Sequence, residues 1–298
     1  MLLVMVCLAV EEVSAREDQE EERILRGLQS SFALPFSDLF IKEHESEWDN
    51  LTHGLSMSLS TNYPLDQTVT VSGQDGSGTE GTRSGSSITS SVAFKYTPLK
   101  NWYASVAFVK YWDADLQAPW NPDFTYTFGY SDWRPYTLSL GYANYGGNRL
   151  NPDKSKGEVH TNFDQGAWTL GWKFPIPKSQ ARPFMFHEDG SIGCNVSYSL
   201  VPSYFDLAAS GQRDNKRSLG LSCRYTIYGY WFFSINFKHY LKKPQQQPWD
   251  PDYTYGFGYF DWHPGTIVFQ YANYAANKFD GSTRLKDGSI SISWSYVF

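Results

Sequence analysis

The stretch YTYGFGYFDW at 253–262 has a regular alternation of side chains. Its odd-numbered positions up to 259 are all aromatic, whereas the positions between them are threonine or glycine. The chain ends on a similar pattern, SISISWSYVF at 289–298, in which serines alternate with large apolar side chains. A period of two is typical of β-strands that present two different faces. These segments therefore predict strands rather than helices.

The first of these stretches belongs to a block that occurs twice. PWNPDFTYTFGYSDWRPYT at 119–137 aligns with PWDPDYTYGFGYFDWHPGT at 248–266. The alignment extends without a gap from 94–149 onto 223–278, an offset of 223 − 94 = 129. Such gapless similarity exceeds what shared composition produces, and internal repeats of this length indicate one duplicated structural unit. We interpret the body of the chain as two copies of a six-stranded unit.

The alternation predicts twelve strands, whose lengths are close to the roughly 9–11 residues of a tilted membrane-spanning strand. They lie at 52–63, 87–97, 101–112, 123–133, 136–146, 165–175, 190–201, 216–227, 230–241, 252–262, 265–275 and 287–298. Tight turns alternate with longer connections, at 64–86, 113–122, 147–164, 202–215, 242–251 and 276–286. The junction 176–189 is a longer connection on the side of the tight turns. Short turns at one rim and long loops at the other are typical of outer-membrane barrels.

The two faces of the strands distinguish a membrane barrel from a soluble sandwich. One face is large and apolar, and includes Phe94, Trp102, Phe108, Phe128, Leu140, Tyr142, Trp168 and Trp172. The other is mostly Ser, Thr, Gly, Ala and Asn, where a soluble protein would carry many charges. Aromatic residues make up 17% of the chain and charged residues only 19%. We predict an all-β transmembrane antiparallel barrel over 51–298, with copies at 51–175 and 190–298.

Composition also excludes several classes. The 298 residues carry a net charge of −6, which argues against a general nucleic-acid-binding protein. Three cysteines are too few for a disulfide scaffold or a cysteine-based zinc site. Cys194 and Cys223 fall on neighbouring predicted strands with the same facing, so they form either a disulfide or two buried thiols. We find no metal-ligand spacing and no phosphate-binding glycine loop, and we expect no cofactor.

The amino terminus indicates export. Residues 2–10, LLVMVCLAV, are apolar, and small residues follow at 13–15, so we predict a signal peptide over 1–15. No Lys or Arg precedes the apolar run, and a buried or frayed terminal segment is the alternative interpretation. Residues 16–50 then read as an acidic periplasmic extension.

The end of the chain resembles the terminal strand of Gram-negative outer-membrane β-barrel proteins of the porin type. The resemblance rests on Phe298, with Tyr296, Trp294, Ile292 and Ile290 at alternate positions. It implies a location in the bacterial outer membrane, in contact with its lipid. It also implies that Phe298, Tyr296 and Trp294 form the signal by which the barrel-assembly machinery recognises the chain.

Four basic residues fall on the polar face of the predicted strands. Lys95, Lys173, Arg224 and Lys238 are predicted to line the pore, and Lys95 and Arg224 are equivalent positions of the two copies. Charges in a pore tune ion selectivity through the local field. The alternative is that their long side chains extend to a rim.

The long loops carry a second candidate site. Trp120 with Asp123, and Trp249 with Asp252, could hold a sugar ring by stacking and hydrogen bonding. A rigid turn bracketed by prolines, with the tryptophans in an interfacial belt, explains the same residues without a ligand. The recurring Asn144, Tyr145 and Asn148, with Asn273, Tyr274 and Asn277, are predicted to close strand ends by side-chain hydrogen bonds.

The predicted function is a channel for passive diffusion of small polar solutes, including anions or saccharides. The alternative from a different class is a surface adhesion or assembly partner that acts through its extracellular loops. An outer-membrane phospholipase is a third hypothesis, which needs a Ser and a His in contact. Only His239 lies in the body of a predicted strand on the outer face, without an outward Ser beside it, so we predict no enzyme.

Overall fold

The computed structural model describes residues 54–66, 68–72, 80–84, 88–99, 101–113, 117, 121–132, 134–154, 158–206, 208–209, 211–261, 265–274, 277–281 and 284–298. Fourteen strands lie in these ranges. They are β1 (Leu55–Pro64), β2 (Thr68–Ser72), β3 (Glu80–Ser84), β4 (Thr89–Leu99), β5 (Trp102–Tyr111), β6 (Phe124–Ser131), β7 (Leu138–Asn144), β8 (Ala167–Pro175), β9 (Ser191–Asp206), β10 (Gly211–Ile227), β11 (Trp231–Tyr240), β12 (Tyr253–Tyr259), β13 (Ile267–Asn273) and β14 (Ser289–Val297). The predicted signal peptide and periplasmic extension lie outside the described residues.

Twelve of the strands form a closed barrel in which every neighbouring pair is antiparallel. Sequential strands pair throughout from β4 to β14, and β1 closes the ring between β14 and β4. At the closure, Ser58 pairs with Ser295 on one side and with Ala93 on the other. Closure leaves no strand edge with unpaired backbone groups. The predicted fold class, an all-β closed barrel of twelve antiparallel strands, is confirmed.

The side chains alternate across the wall as the sequence predicted. Ala93 and Ser295 point inward and are almost completely buried, whereas Phe94 and Leu140 point outward and are exposed. Strand β6 approaches β7 closely at Gly129, where a Cβ atom would lie 2.7 Å from the Cα of Gly141. Only glycine fits there, because the obstacle is backbone of the neighbouring strand. Gly258 holds the equivalent position between β12 and β13.

Two of the predicted long connections contain strands. Strands β2 and β3 pair as a separate two-stranded sheet inside the predicted connection 64–86. In addition, β9 and β10 run for 16 and 17 residues and pair far beyond the barrel wall, so the predicted loop 202–215 is wrong. The pairing continues past Pro202 in unchanged register, with Val201 opposite Lys216 and Ser203 opposite Asp214.

The rim of tight turns also carries the junction between the predicted copies. A single helical turn, α1 (Lys178–Ala181), is followed by a 3₁₀ turn (Arg182–Phe184). The Tyr225 hydroxyl accepts hydrogen bonds from the backbone N–H groups of Phe186 and His187, at 2.9 and 3.1 Å. Helices long and apolar enough to cross a bilayer do not occur in the described part of the chain.

The outer wall departs from the prediction at Tyr142, which was assigned to the lipid-facing surface. It points outward yet is only 1% exposed. A 3₁₀ turn (Phe163–Gln165) covers it, with the Phe163 ring stacked 4.3 Å away and the Phe163 carbonyl accepting its hydroxyl hydrogen at 2.6 Å. The polar hydroxyl group of tyrosine thus finds a partner within the protein rather than facing lipid.

Candidate functional site

The interior of the barrel contains a cavity of about 300 Å³. It lies between strands β1, β4, β5 and β6 and is bordered by Tyr145 just after β7. Its wall is rich in hydroxyl and amide groups, from Ser60, Asn62, Thr89, Ser91, Ser105, Tyr111, Thr125, Thr127 and Tyr145. Thr127 is 6% exposed, and within the described structure its Oγ1 atom is buried without a hydrogen-bond partner. The cavity therefore offers hydroxyl groups that can bind a small polar molecule or water.

The inward-pointing lysines Lys95 and Lys173 lie where the sequence placed them. Lys95 is 9% exposed, and its Nζ atom lies 4.8 Å from the centre of the Tyr103 ring on β5. Lys173 is 3% exposed, and its Nζ donates to Ser131 Oγ at 3.0 Å and to the Asp132 carbonyl at 3.3 Å. The Lys95 ammonium group is therefore held against the inner wall, whereas that of Lys173 reaches the tight turn between β6 and β7.

Asp132, beside Lys173, belongs to the tight turn between β6 and β7. Burial raises the pKa of its carboxyl group, but hydrogen bonds from the side chain and backbone of Arg134 outweigh that effect. The net result is a pKa below the ordinary value, so this carboxylate stays ionised at neutral pH. The turn therefore adds a negative charge close to Lys173.

The equivalent of Lys95 in the second copy is Arg224, which is 2% exposed. Its guanidinium carbon lies 3.9 Å from the centre of the Phe232 ring and 5.3 Å from that of Phe260. Phe232 is in turn the equivalent of Tyr103, since 232 − 129 = 103. A cation over an aromatic ring thus recurs at the same offset as the sequence repeat. The evolutionary origin of the repeat stays a prediction.

Lys238 lies on the inward face of β11, opposite Gly220, toward the rim of long loops. A second lysine, Lys216, forms an ion pair there with Asp250. Its Nζ atom also lies 5.3 Å from the centre of the Tyr240 ring. Sequence reasoning missed Lys216 because it lies at the edge of the predicted strand 216–227, beside a loop that proved to be strand.

The loop carboxylates of the predicted sugar site are engaged within the protein. Asp123 accepts hydrogen bonds from Gln117 Nε2 at 2.8 Å, from Arg149 Nη1 at 3.0 Å and from the Leu150 N–H at 3.0 Å. Asp252 accepts equivalent bonds from Gln246 Nε2 at 2.7 Å and from the Phe279 N–H at 3.0 Å.

Burial raises the pKa of both carboxyl groups, but these hydrogen bonds outweigh it and hold each pKa below its ordinary value. Trp249 is 51% exposed, and Trp120 lies outside the described residues. The geometry thus accounts for both aspartates as parts of a rigid loop, and sugar binding stays a prediction.

Cys194 and Cys223 are direct partners across β9 and β10, with Cα atoms 4.1 Å apart, and they form a disulfide. The sequence left this pairing open against two buried thiols. The bond lies in the wall of the barrel on the outward-facing side and contributes no group to the lumen.

The aromatic residues at the end of the chain form a stack on the outer wall. The rings of Trp294 and Tyr296 lie 6.1 Å apart, and those of Tyr296 and Phe298 lie 5.2 Å apart. All three point away from the lumen, with Tyr296 and Phe298 nearly half exposed. They are accessible to a partner, and their role as an assembly signal stays a prediction.

Within the described residues, the histidine considered for catalysis lies apart from other catalytic groups. His239 is exposed on the outer wall opposite Leu219. Hydrogen bonds within the described ranges do not join it to a serine or a carboxylate. The same ranges contain no group of three or more His, Cys, Asp or Glu side chains that could hold a metal ion.

The aromatic residues inside the barrel were not singled out from the sequence. Phe232, Phe260 and Val268 form a buried cluster beside Arg224. The parity of the predicted strand 230–241 does place Phe232 on the same face as Lys238, so the signal was present. It was overlooked because small polar residues dominate that face elsewhere.

Comparison with known proteins gave only distant similarities. No family model matches the chain, and no curated protein matches it. An outer-membrane channel from Pseudomonas putida F1 aligns with 11% identity and a TM-score of 0.36, over 87% of this chain and 100% of that chain. The outer-membrane protein Omp33 from Acinetobacter baumannii aligns with 11% identity and a TM-score of 0.36, over 83% of this chain and 99% of that chain. The porin NanC aligns with 10% identity and a TM-score of 0.39, over 81% of this chain and 99% of that chain. With TM-scores below 0.5, none of these similarities assigns a function.

Proposed function

We propose that this protein spans the bacterial outer membrane and acts as a channel for passive diffusion of small polar solutes. The observation that carries the proposal is the hydroxyl-lined cavity inside a closed barrel whose outer wall is apolar. A closed barrel is the only sheet that satisfies all its backbone groups in lipid. The outward Phe94, Leu140 and Ile292, between 38% and 52% exposed, would be a liability in water but suit contact with acyl chains.

The lumen favours small polar solutes for two reasons. The cavity of about 300 Å³ lies at the lower end of the roughly 300–1,000 Å³ range of small-molecule sites. Its wall includes neutral hydroxyl groups, which exchange hydrogen bonds with a sugar or with water at little cost. The inward cations Lys95, Lys173, Arg224 and Lys238 add a positive field that favours anions.

Export and assembly belong to the same proposal. A signal peptide at 1–15 would direct the chain across the inner membrane. The exposed aromatic stack of Trp294, Tyr296 and Phe298 would be available to the barrel-assembly machinery before the barrel closes. The roles of export and of the barrel-assembly machinery are predicted from the sequence.

The surface-protein alternative is favoured by one specific observation, the β9–β10 hairpin. It extends past the last barrel pairing of β8, Trp168 with Leu200, as far as Asp206 and Gly211. A stiff hairpin could present a binding surface outside the cell. A reconstituted, folded barrel that admits no solute would favour this alternative over the channel.

Liposome swelling tests the proposal directly. The refolded protein is incorporated into vesicles, and swelling is followed in arabinose, glucose and the tetrasaccharide stachyose. We expect fast swelling in the monosaccharides and none in stachyose, because the cavity is small. Protein-free vesicles and vesicles with a heat-denatured sample serve as controls. Absence of swelling in every sugar and in a small amino acid such as glycine, with the barrel folded, would reject the channel.

A further inference from the structure

Arg224 combines burial with unused hydrogen-bonding capacity. It is 2% exposed, and its Nε and Nη2 atoms are buried without a hydrogen-bond partner in the described structure. Its direct neighbours across the sheet are Gly193 and Ser234, neither of which carries a charge. Among the ion pairs found in the described ranges, none involves Arg224. A guanidinium group is always charged in proteins, and a buried charge without a partner is costly.

The aromatic rings restrict where a partner could bind. Phe232 lies 3.9 Å from the guanidinium carbon, and Phe260 lies at 5.3 Å. These contacts cover the face of the guanidinium group. Its Nε and Nη2 atoms are also enclosed by protein, so a ligand reaches them only when neighbouring side chains move aside. Nε and Nη2 form one edge of the group, with two parallel N–H donors. This spacing matches the two oxygens of a carboxylate.

We propose that Arg224 forms a subsite inside the barrel that binds the carboxylate group of a small solute through Nε and Nη2. A carboxylate suits the edge because it is planar, matches two donors and neutralises one charge. The proposal rests on the proposed channel function and adds the class of solute. It assigns different roles to equivalent positions, because Lys95 in the first copy is a point charge without a bidentate edge.

Nuclear magnetic resonance of ¹⁵N-arginine-labelled full-length protein in detergent micelles tests the subsite without requiring conduction. The Nε–H signal of Arg224 is assigned by its loss in Arg224→Lys, or in Arg224→Gln if the lysine variant does not fold. Sodium acetate is the probe, and sodium chloride at equal ionic strength is the control. We expect a saturable downfield shift of this signal with acetate only. An acetate response no larger than the chloride response overturns the proposal.

Matched variants separate a specific subsite from a diffuse positive field. Backbone amide shifts of Phe232 and Phe260, measured in protein that also carries ¹⁵N-phenylalanine, report acetate binding in every variant. Arg224→Lys keeps the charge but removes the edge, and should weaken acetate binding about tenfold. Lys95→Gln removes a charge but keeps the edge, and should change it by less than about twofold. Equal weakening by both variants would overturn the subsite in favour of the diffuse field.

The outcomes also separate this proposal from the channel. A saturable acetate shift in a barrel that admits no solute would retain the subsite and reject the channel. Solute entry without an acetate-specific shift would retain the channel and reject the subsite.

Discussion

Replacement of Asn144 by alanine should destabilise the barrel more than its position near a loop suggests. Asn144 is 1% exposed at the end of β7. Its Nδ2 atom donates to the Asn162 carbonyl at 2.9 Å, and its Oδ1 atom accepts from Asn148 Nδ2 at 3.1 Å. Longer bonds of 3.3 Å reach the Tyr126 and Tyr142 hydroxyls. The amide thus ties the strand end to the turn that covers the outer wall.

The size of the effect follows from these contacts. The two shorter hydrogen bonds contribute about 0.5–1.5 kcal/mol each. Asn148, which is 0% exposed, would lose an acceptor, and a buried unpaired polar group costs about 1–3 kcal/mol. We therefore expect Asn144→Ala to lower the free energy of unfolding by about 3 kcal/mol, more than a hundredfold in the equilibrium constant.

The assay is equilibrium unfolding in urea of the barrel refolded into phospholipid vesicles, followed by tryptophan fluorescence. Asn273→Ala should have the same effect, because Asn273 is 0% exposed and bonds to Tyr255, Tyr271 and Arg284 in the same way. The exposed Asn151, replaced by alanine, is the control and should change stability by less than about 0.5 kcal/mol. A loss below about 1 kcal/mol for Asn144→Ala, with an unchanged urea slope, would refute the reasoning.

Three further predictions address the wall, its close approach and the loops. Leu140→Lys, on the outer face, should lower the free energy of unfolding in a bilayer by about 2–4 kcal/mol, whereas Ser91→Lys in the lumen should lower it far less. Equal losses of stability in urea unfolding would contradict the assigned faces. Gly129→Ala should lower the free energy of unfolding by about 1–3 kcal/mol, because the added Cβ atom meets the β7 backbone. The Cβ atom of Gly146→Ala meets nothing within 4 Å, so this variant is the control. Similar stabilities of the two variants would contradict the close approach. The carboxyl groups of Asp123 and Asp252 have lowered pKa values in the folded protein. The ionised carboxylates therefore stabilise the folded loops at pH values above the ordinary pKa of about 4, and this stabilisation is lost as the pH falls through the pKa of the folded state. Hydrogen-exchange protection of the Leu150 and Phe279 amides should therefore fall as these carboxylates become protonated below the ordinary carboxyl pKa of about 4. The Val109 and Lys238 amides, which bond to backbone carbonyls, should keep their protection, and equal loss at all four would contradict the assignment.

The strand pattern was readable from the sequence because each strand carries its own signal. Alternation places Phe94 outward and Lys95 inward without any knowledge of the neighbours. Tight turns such as that before Trp102 leave little freedom in register, since a shift of one residue would turn every side chain to the other face. The number of barrel strands and their facing therefore followed from local pattern alone.

The features that sequence analysis missed depend on contacts between distant residues. Tyr142 has the facing of a lipid contact, and only the turn at Phe163 shows that it is covered. Continuation of β9 past Pro202 is seen only in its pairing with Asp214 and Lys216 of the partner strand. Prediction of the disulfide would have required the exact register of β9 and β10. Alternation of side chains fixes which face a residue lies on, but it does not distinguish registers that differ by two residues.

For the basic residues of the lumen, too, the sequence predicted the facing but not the contacts. Parity identified Lys95, Lys173 and Arg224 as inward, but not what each one contacts. Lys173 bonds to Ser131 and the backbone of its turn, whereas Arg224 lies against Phe232 and Phe260 with two unused donors. Residues of the same charge on the same face thus have different chemistry, which only the packed barrel reveals.

Single-channel conductance in planar bilayers, with two tryptophan variants of β5, tests whether solutes pass through the lumen. Ser105 lines the cavity and is 7% exposed, whereas its neighbour Ala104 points outward. We expect wild type and Ala104→Trp to conduct equally. Ser105→Trp should reduce the conductance by about half or more, because an indole is large relative to a cavity of about 300 Å³. Equal conductance in the two variants, or a folded wild-type barrel that does not conduct, would contradict a solute path through the lumen.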